Sequence, residues 1–140
     1  MLAPMEVSVD STNQKLGYTG VLRSHPAIPI DYIPPFGDGQ GYTPLELLLM
    51  SLAACSGGTV GLLLRKMGKT ISGIKVNTKG IRREQHPTSF QKIFLEFVVT
   101  SGDIKDADIQ KAIKLRGVGL SCLGHGEGEC RDRNRIQNNR

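Results

Sequence analysis

Residues 43–68 read TPLELLLMSLAACSGGTVGLLLRKMG, and the fold turns on them. Thr43-Pro44-Leu45-Glu46 carries the signals of a helix start: a threonine that caps, a proline at the first helical position and a glutamate three residues on that can reach back to the cap amide. Arg65 and Lys66 stand where cations complement the end of a helix dipole, and Gly68 is a stop just past Met67. The intervening helix would be roughly 36 Å long at 1.5 Å per residue. Between Leu47 and Leu64 it carries no charge, so it is apolar on every face and has to be buried.

A buried helix of that length needs a sheet around it, and the flanking sequence offers strands. Downstream, Ile74-Lys75-Val76-Asn77 alternates, and Ile93, Leu95, Phe97 and Val99 line one face of a longer strand. The turn Ser101-Gly102-Asp103 leads to a second helix over Asp106 to Leu115, with Ile109, Ala112 and Ile113 on one face. Upstream, short β-rich pieces around Val7 and Val9, Leu16 to Val21, and Ile28 and Ile30 are separated by turn residues, which predicts an antiparallel meander. The breaker-rich run Pro34 to Gly41 is a loop. The fold class is α+β, antiparallel sheets against helices.

The uncharged run Leu47 to Leu64 also meets the minimum length of about 18 residues for a membrane span. Its dilution by Ser51, Ser56, Gly57, Gly58, Thr59 and Gly61, and the half-polar strands on both sides, argue for a core helix and no membrane partner. The net charge is +5, and residues 116–140 supply two of those charges with five Arg against three acids. The other basic residues are scattered, so a nucleic-acid partner is not expected. Cys55, Cys122 and Cys130 fit neither a disulfide framework nor a paired zinc motif, and free thiols fit a reducing compartment. Together with an N-terminus lacking the features of a secretory signal, this predicts a cytoplasmic protein.

The segment Pro44 to Cys55 resembles the central-helix signature of the OsmC/Ohr family. His86-Pro87, followed by Phe90 and the strand Gln91 to Val99, is similar to that family's next landmark, and Ala112-Ile113-Lys114-Leu115 to its helix end. The resemblance implies an OsmC-like domain over residues 1–115. It also implies an intertwined homodimer, two long central helices wrapped by antiparallel sheets, with thiol sites near the subunit interface.

In the best-understood members of that family two cysteines reduce organic hydroperoxides. The resemblance assigns Cys55 the peroxidatic role, with a second cysteine closing a disulfide that an external dithiol reductant reopens; no bound cofactor is implied. The chemistry needs a thiolate and a nearby cation to favour it. An N-terminal arginine serves the peroxidase branch, and Arg23 is the only arginine upstream of Cys55. In the Ohr branch a carboxylate directly follows the proline, where this chain has Leu45; Glu46 is one residue later. It lies nine residues before Cys55, about 900° of helical rotation, so the two point to opposite sides and Glu46 reads as a cap. A free cysteine on an apolar helix is otherwise a small core residue. His25 and His86, each before a proline, read as turn residues.

Residues 116–140 depart from the family pattern, which places an acidic turn, a Tyr-Cys-Pro-Val-like segment and a closing strand there. The chain instead runs from Arg116 through Cys122, His125 and Cys130 into a tail rich in Arg and Asn, without helical or strand periodicity. Back-translation from Arg116, read one nucleotide later, permits Glu-Glu, two residues, then Cys-Pro-Val-Trp-Ala-Met and a β-rich end. A frameshifted C-terminus is one reading; a divergent, disordered tail is the other. Cys122 falls one position beyond the expected resolving cysteine and is the candidate for that role. Cys122, His125 and Cys130 lack the fourth ligand and spacing of a structural zinc site, so no metal is expected. Two functions remain: a thiol-dependent peroxidase acting through Cys55, and a non-catalytic OsmC-like dimer that binds a small molecule, with Cys55 structural.

Overall fold

The computed structural model describes residues 3–85, 89–115 and 129–137. The chain divides into two compact units, Met1–Leu48 and Leu49–Arg140. In the first, strands β1 (Ser8–Ser11), β2 (Tyr18–Val21) and β3 (Ile28–Ile30) form an antiparallel meander in that order, as the turn-punctuated sequence predicts. The glycine- and proline-rich loop that follows is organised by Asp31. Its carboxylate accepts hydrogen bonds from the amides of Tyr32 at 2.8 Å and of Asp38 and Gln40 at 3.1 Å each. A carboxylate only 4% exposed is tolerated there because three backbone donors replace its water.

Helix α1 (Pro44–Lys66) begins and ends as its sequence signals require. The Thr43 amide donates to Glu46 Oε2 at 2.7 Å and the Glu46 amide donates to Thr43 Oγ1 at 3.3 Å, the reciprocal cap of a Thr-x-x-Glu box. At the other end Gly68 adopts φ 77°, its amide donates to the Arg65 carbonyl at 2.9 Å, and the Lys69 amide donates to the Leu64 carbonyl at 3.1 Å. That pair of bonds is a Schellman closure, and it needs the left-handed conformation that glycine adopts without strain.

The second unit builds its sheet from β4 (Gly73–Arg82), β5 (Phe90–Thr100) and β6 (Glu129–Gln137) in that order. β4 and β5 pair antiparallel with a register shift at Ile81/Arg82, and β6 joins β5 in parallel. β6 arises from a stretch in which the sequence shows no strand periodicity. The inward residues of β5 are the four that alternation picks out, Ile93, Leu95, Phe97 and Val99, all between 0% and 4% exposed. Leu95, Phe97 and Val99 meet Val60 and Leu64 from α1 and Ile109 and Ala112 from α2 (Asp106–Leu115) in one core cluster.

Two glycines set how close α1 comes to the sheet. A Cβ on Gly57 would stand 2.8 Å from Val76 Cγ2, and one on Gly61 would stand 2.8 Å from Ile74 Cδ1. One helical turn apart, they let β4 approach the helix backbone. A further network ties the α1–β4 connection to the turn before α2. The Asp103 carboxylate accepts from the Thr70 amide at 3.1 Å and 3.2 Å, and the Ser101 hydroxyl lies 2.9 Å from Asp103 Oδ1 and 2.6 Å from the Thr70 carbonyl, donating to one at a time. Lys69 bridges to Asp108 at 3.1 Å, and Asp108 in turn caps α2 by accepting from the Lys105 amide at 2.9 Å.

The helix that the sequence requires to be buried is enclosed on one side by this chain. Ser56, Gly57, Val60, Gly61 and Leu64 are buried, while Met50 is 43% and Leu62 52% exposed. By length and composition α1 could cross a membrane, but its buried face is spent on the core of the second unit.

Two outcomes follow from this packing. Gly57→Ala gains about 1 kcal/mol of helix propensity against an overpacking cost of about 1–3 kcal/mol at the stiff Val76 side chain, so the net is a loss, read as a lower urea midpoint. Hydrogen bonds from the Gln40 amide hold the Asp31 carboxyl below its ordinary 3.8, and the Ser101 hydroxyl does the same for Asp103. Both contributions are therefore complete above that value and fade as pH falls through the lowered folded-state pKa values. Asp103→Asn should lower the melting temperature at pH 7 and flatten the acid limb of its pH profile; an unchanged acid limb would refute the assignment.

Candidate functional site

Cys55 is a free, exposed thiol on α1. It lies eleven residues beyond Pro44, about 16 Å along the axis, so the positive end of the helix dipole, which acts within the first turn, does not reach it. Ser51 and Leu62, one turn before and two turns after, lie on the same exposed stripe. Thr59, one turn on, donates its hydroxyl to the Cys55 carbonyl at 3.1 Å. No side chain of α1 between Leu47 and Leu64 carries charge. A cation for a thiolate at Cys55 therefore has to come from another element.

The other residues singled out from the sequence lie as follows. Glu46 is exposed and its carboxylate accepts the Thr43 amide, on the side of α1 opposite Cys55 by its nine-residue offset. Arg23 is exposed in the turn between β2 and β3, in the first unit, with a positive φ of 57°. His25 shares that turn, its amide donating to the Leu22 carbonyl at 3.4 Å. Cys122, His125 and the His86-Pro87 pair lie outside the described residues, and Cys130 lies in β6. Among the described residues no group of three or more His, Cys, Asp or Glu side chains could hold a metal ion.

Two features escaped the sequence reading. Ser56, beside Cys55 but on the buried face, is 0% exposed, and its hydroxyl has no hydrogen-bond partner among the described residues. A groove of about 410 Å³ runs between α1 and β4, with Arg65 among its lining residues. The spacing Gly57-x-x-x-Gly61 is the signal that a strand comes close to this helix flank; nothing in it announces the groove.

Residues 37–116 match the family model described as OsmC-like protein. Protein YhfA of Escherichia coli K12 is 36% identical over 73 residues, 52% of this chain and 54% of YhfA. The match thus spans about half the length of that relative. Among solved structures, an OsmC-like protein from Mycoplasma pneumoniae superposes with a TM-score of 0.78 at 21% identity, covering 97% of this chain and 99% of the other. A hypothetical protein from Aquifex aeolicus gives 0.81 at 23%, covering 99% and 100%. The organic hydroperoxide resistance protein OhrB of Bacillus subtilis gives 0.59 at 18%, covering 94% and 98%. At these identities the structures establish a common α+β fold.

Proposed function

The chain belongs to the OsmC-like protein family, and from that membership we propose that it is a homodimeric, thiol-dependent redox protein that reduces small organic hydroperoxides with Cys55 as nucleophile. The observation that carries the reading is an accessible thiol on the uncharged central helix, at the position where the family signature has its cysteine. That an organic hydroperoxide resistance protein shares the fold supports it.

In the reaction the Cys55 thiolate sulfur attacks the terminal peroxide oxygen and the O–O bond breaks. The alkoxide takes a proton and leaves as the alcohol, and Cys55 becomes a sulfenic acid. A second thiol condenses with it, releasing water and forming a disulfide, and an external dithiol reduces that disulfide to restart the cycle. Such a cycle suits a reducing, cytoplasmic setting. The homodimer is supported by the exposed apolar side of α1, which one chain leaves uncovered. A partner subunit would bring the cation that α1 lacks. The resolving thiol is Cys122 if the printed reading frame is the native one. In the alternative frame it is the cysteine of the permitted Cys-Pro-Val segment, and resequencing the codons from Arg116 onward should show the one-nucleotide offset; complete agreement with the printed chain refutes the frameshift.

The second reading, a non-catalytic OsmC-like dimer that binds a small molecule with Cys55 structural, is favoured by Leu45 where the Ohr branch has its carboxylate. One experiment separates the two. On mixing with a slight excess of cumene hydroperoxide at neutral pH, the wild-type chain should gain a single oxygen or lose two thiols, by intact mass and thiol counting. Cys55→Ser should abolish that reaction, a loss of at least about a hundredfold in rate since the nucleophile is gone. An inert Cys55, or oxidation that persists in the variant, favours the second reading.

A further inference from the structure

The chemistry proposed for Cys55 needs a cation that its own stretch of α1 does not carry. Arg65 is the first cationic side chain along α1 after Cys55, and it lies on the same exposed stripe as Ser51, Cys55, Gly58 and Leu62. At 100° per residue these five positions fall within about a quarter of the helix circumference. Within one chain the ten residues from Cys55 to Arg65 span about 15 Å, too far for contact. No carboxylate among the described residues pairs with Arg65. Its guanidinium folds back along the helix, with Nη1 3.7 Å from where a Cβ on Gly61 would stand, so the charge sits near the level of residue 61.

A two-fold axis can lay a second α1 on this stripe in two directions. Parallel helices set Arg65 against Arg65 of the partner subunit, like charge on like charge, and align the two helix dipoles; antiparallel helices do neither. The backbones come closest at Gly58, the one stripe residue with no side chain, where an added Cβ would meet nothing within 4 Å. With the axis there, residues equidistant from Gly58 face each other. Cys55 is three residues before it and Gly61 three after, so Cys55 stands level with Gly61 of the partner subunit, the level at which the Arg65 guanidinium is held. Four residues, about 6 Å of axis, then separate Cys55 from the backbone of Arg65 of the partner subunit, and a long side chain directed toward its own N-terminus spans that gap. Cys55 itself lies about 60° round the helix from Gly58, at the rim of the pair and open to small reagents.

We propose that Arg65 of the partner subunit is the cation that holds the Cys55 thiolate, so that each dimer carries two sites, each built from the cysteine of one α1 and the arginine of the other. The catalytic role rests on the peroxidase reading: the guanidinium donates to the sulfur anion and favours the ionised nucleophile. The contact itself needs only the dimer, and a thiol assay therefore separates the two.

The test measures alkylation of Cys55 by iodoacetamide from about pH 6 to about pH 10, read by peptide mass mapping, beside oxidation by cumene hydroperoxide. Arg65→Gln should slow alkylation at neutral pH about tenfold, the loss closing near the top of the range, where a thiol of ordinary pKa about 8.5 ionises unaided. Arg65→Lys should recover part of the rate, and Lys66→Gln should stay within about twofold of wild type. Mixed dimers, made by co-expressing differently tagged chains, keep one native Arg65 and decide the matter even where the Arg65→Gln homodimer does not form. Cys55→Ser paired with Arg65→Gln should hold one fast Cys55, which faces an intact arginine. Wild type paired with the Cys55→Ser, Arg65→Gln double variant should hold a slow one, although that Cys55 shares its chain with Arg65. Unchanged alkylation in Arg65→Gln, an equal loss in Lys66→Gln, the reverse ranking of the mixed dimers or a monomeric wild type overturns the proposal. Arg65-dependent alkylation without reaction toward cumene hydroperoxide upholds the contact and sinks the peroxidase reading.

Discussion

The structure depends on a helix that carries no charge on any side between Leu47 and Leu64. α1 places one side, through Ser56, Val60 and Leu64, in the core of the second unit, and Gly57 and Gly61 let Val76 and Ile74 come against its backbone. The opposite side, with Met50, Cys55 and Leu62, stays in contact with solvent in the single chain. An uncharged stripe of this kind is the mark of a surface meant to be covered. The proposed dimer supplies the cover, and it places the thiol where a second polypeptide comes close.

The same arrangement explains why the chemistry proposed for Cys55 cannot be completed from α1 alone. A thiolate in mid-helix has neither the dipole of a helix start nor a charged neighbour on its own element. Glu46, the nearest acidic side chain upstream, is engaged in the cap with Thr43. Whatever stabilises a thiolate at Cys55 in the proposed reaction must be carried in from another element. Arg65 of the same chain sits at the helix end, about 15 Å from Cys55 along the axis, and lines the groove against β4.

Much of this was legible in the sequence, and the reasons differ from element to element. Both ends of α1 were readable because capping is local chemistry: Thr43 and Glu46 are three residues apart, and Gly68 follows directly on the last turn. The inward face of β5 was readable because Ile93, Leu95, Phe97 and Val99 alternate with Lys92, Phe94 and Glu96. The bounds of α2 followed from its amphipathic period. What α1 buries was not readable, since a helix apolar all round has no periodicity to show which face meets the sheet. The strand β6 was hidden because its residues lack alternation, and the groove was hidden because it depends on the register of β4 against Gly57 and Gly61.

The most direct measurement of the central claim is the mass of the protein in solution by sedimentation equilibrium at micromolar concentration, for wild type and for Leu62→Asp. The chain weighs 15.2 kDa. A helix half enclosed by its own chain and completed by a second copy predicts twice that mass for wild type, and dissociation or loss of folding when a carboxylate is placed on the open stripe. A stable, folded monomer for wild type, with Leu62→Asp equally monomeric and equally stable, would contradict the account.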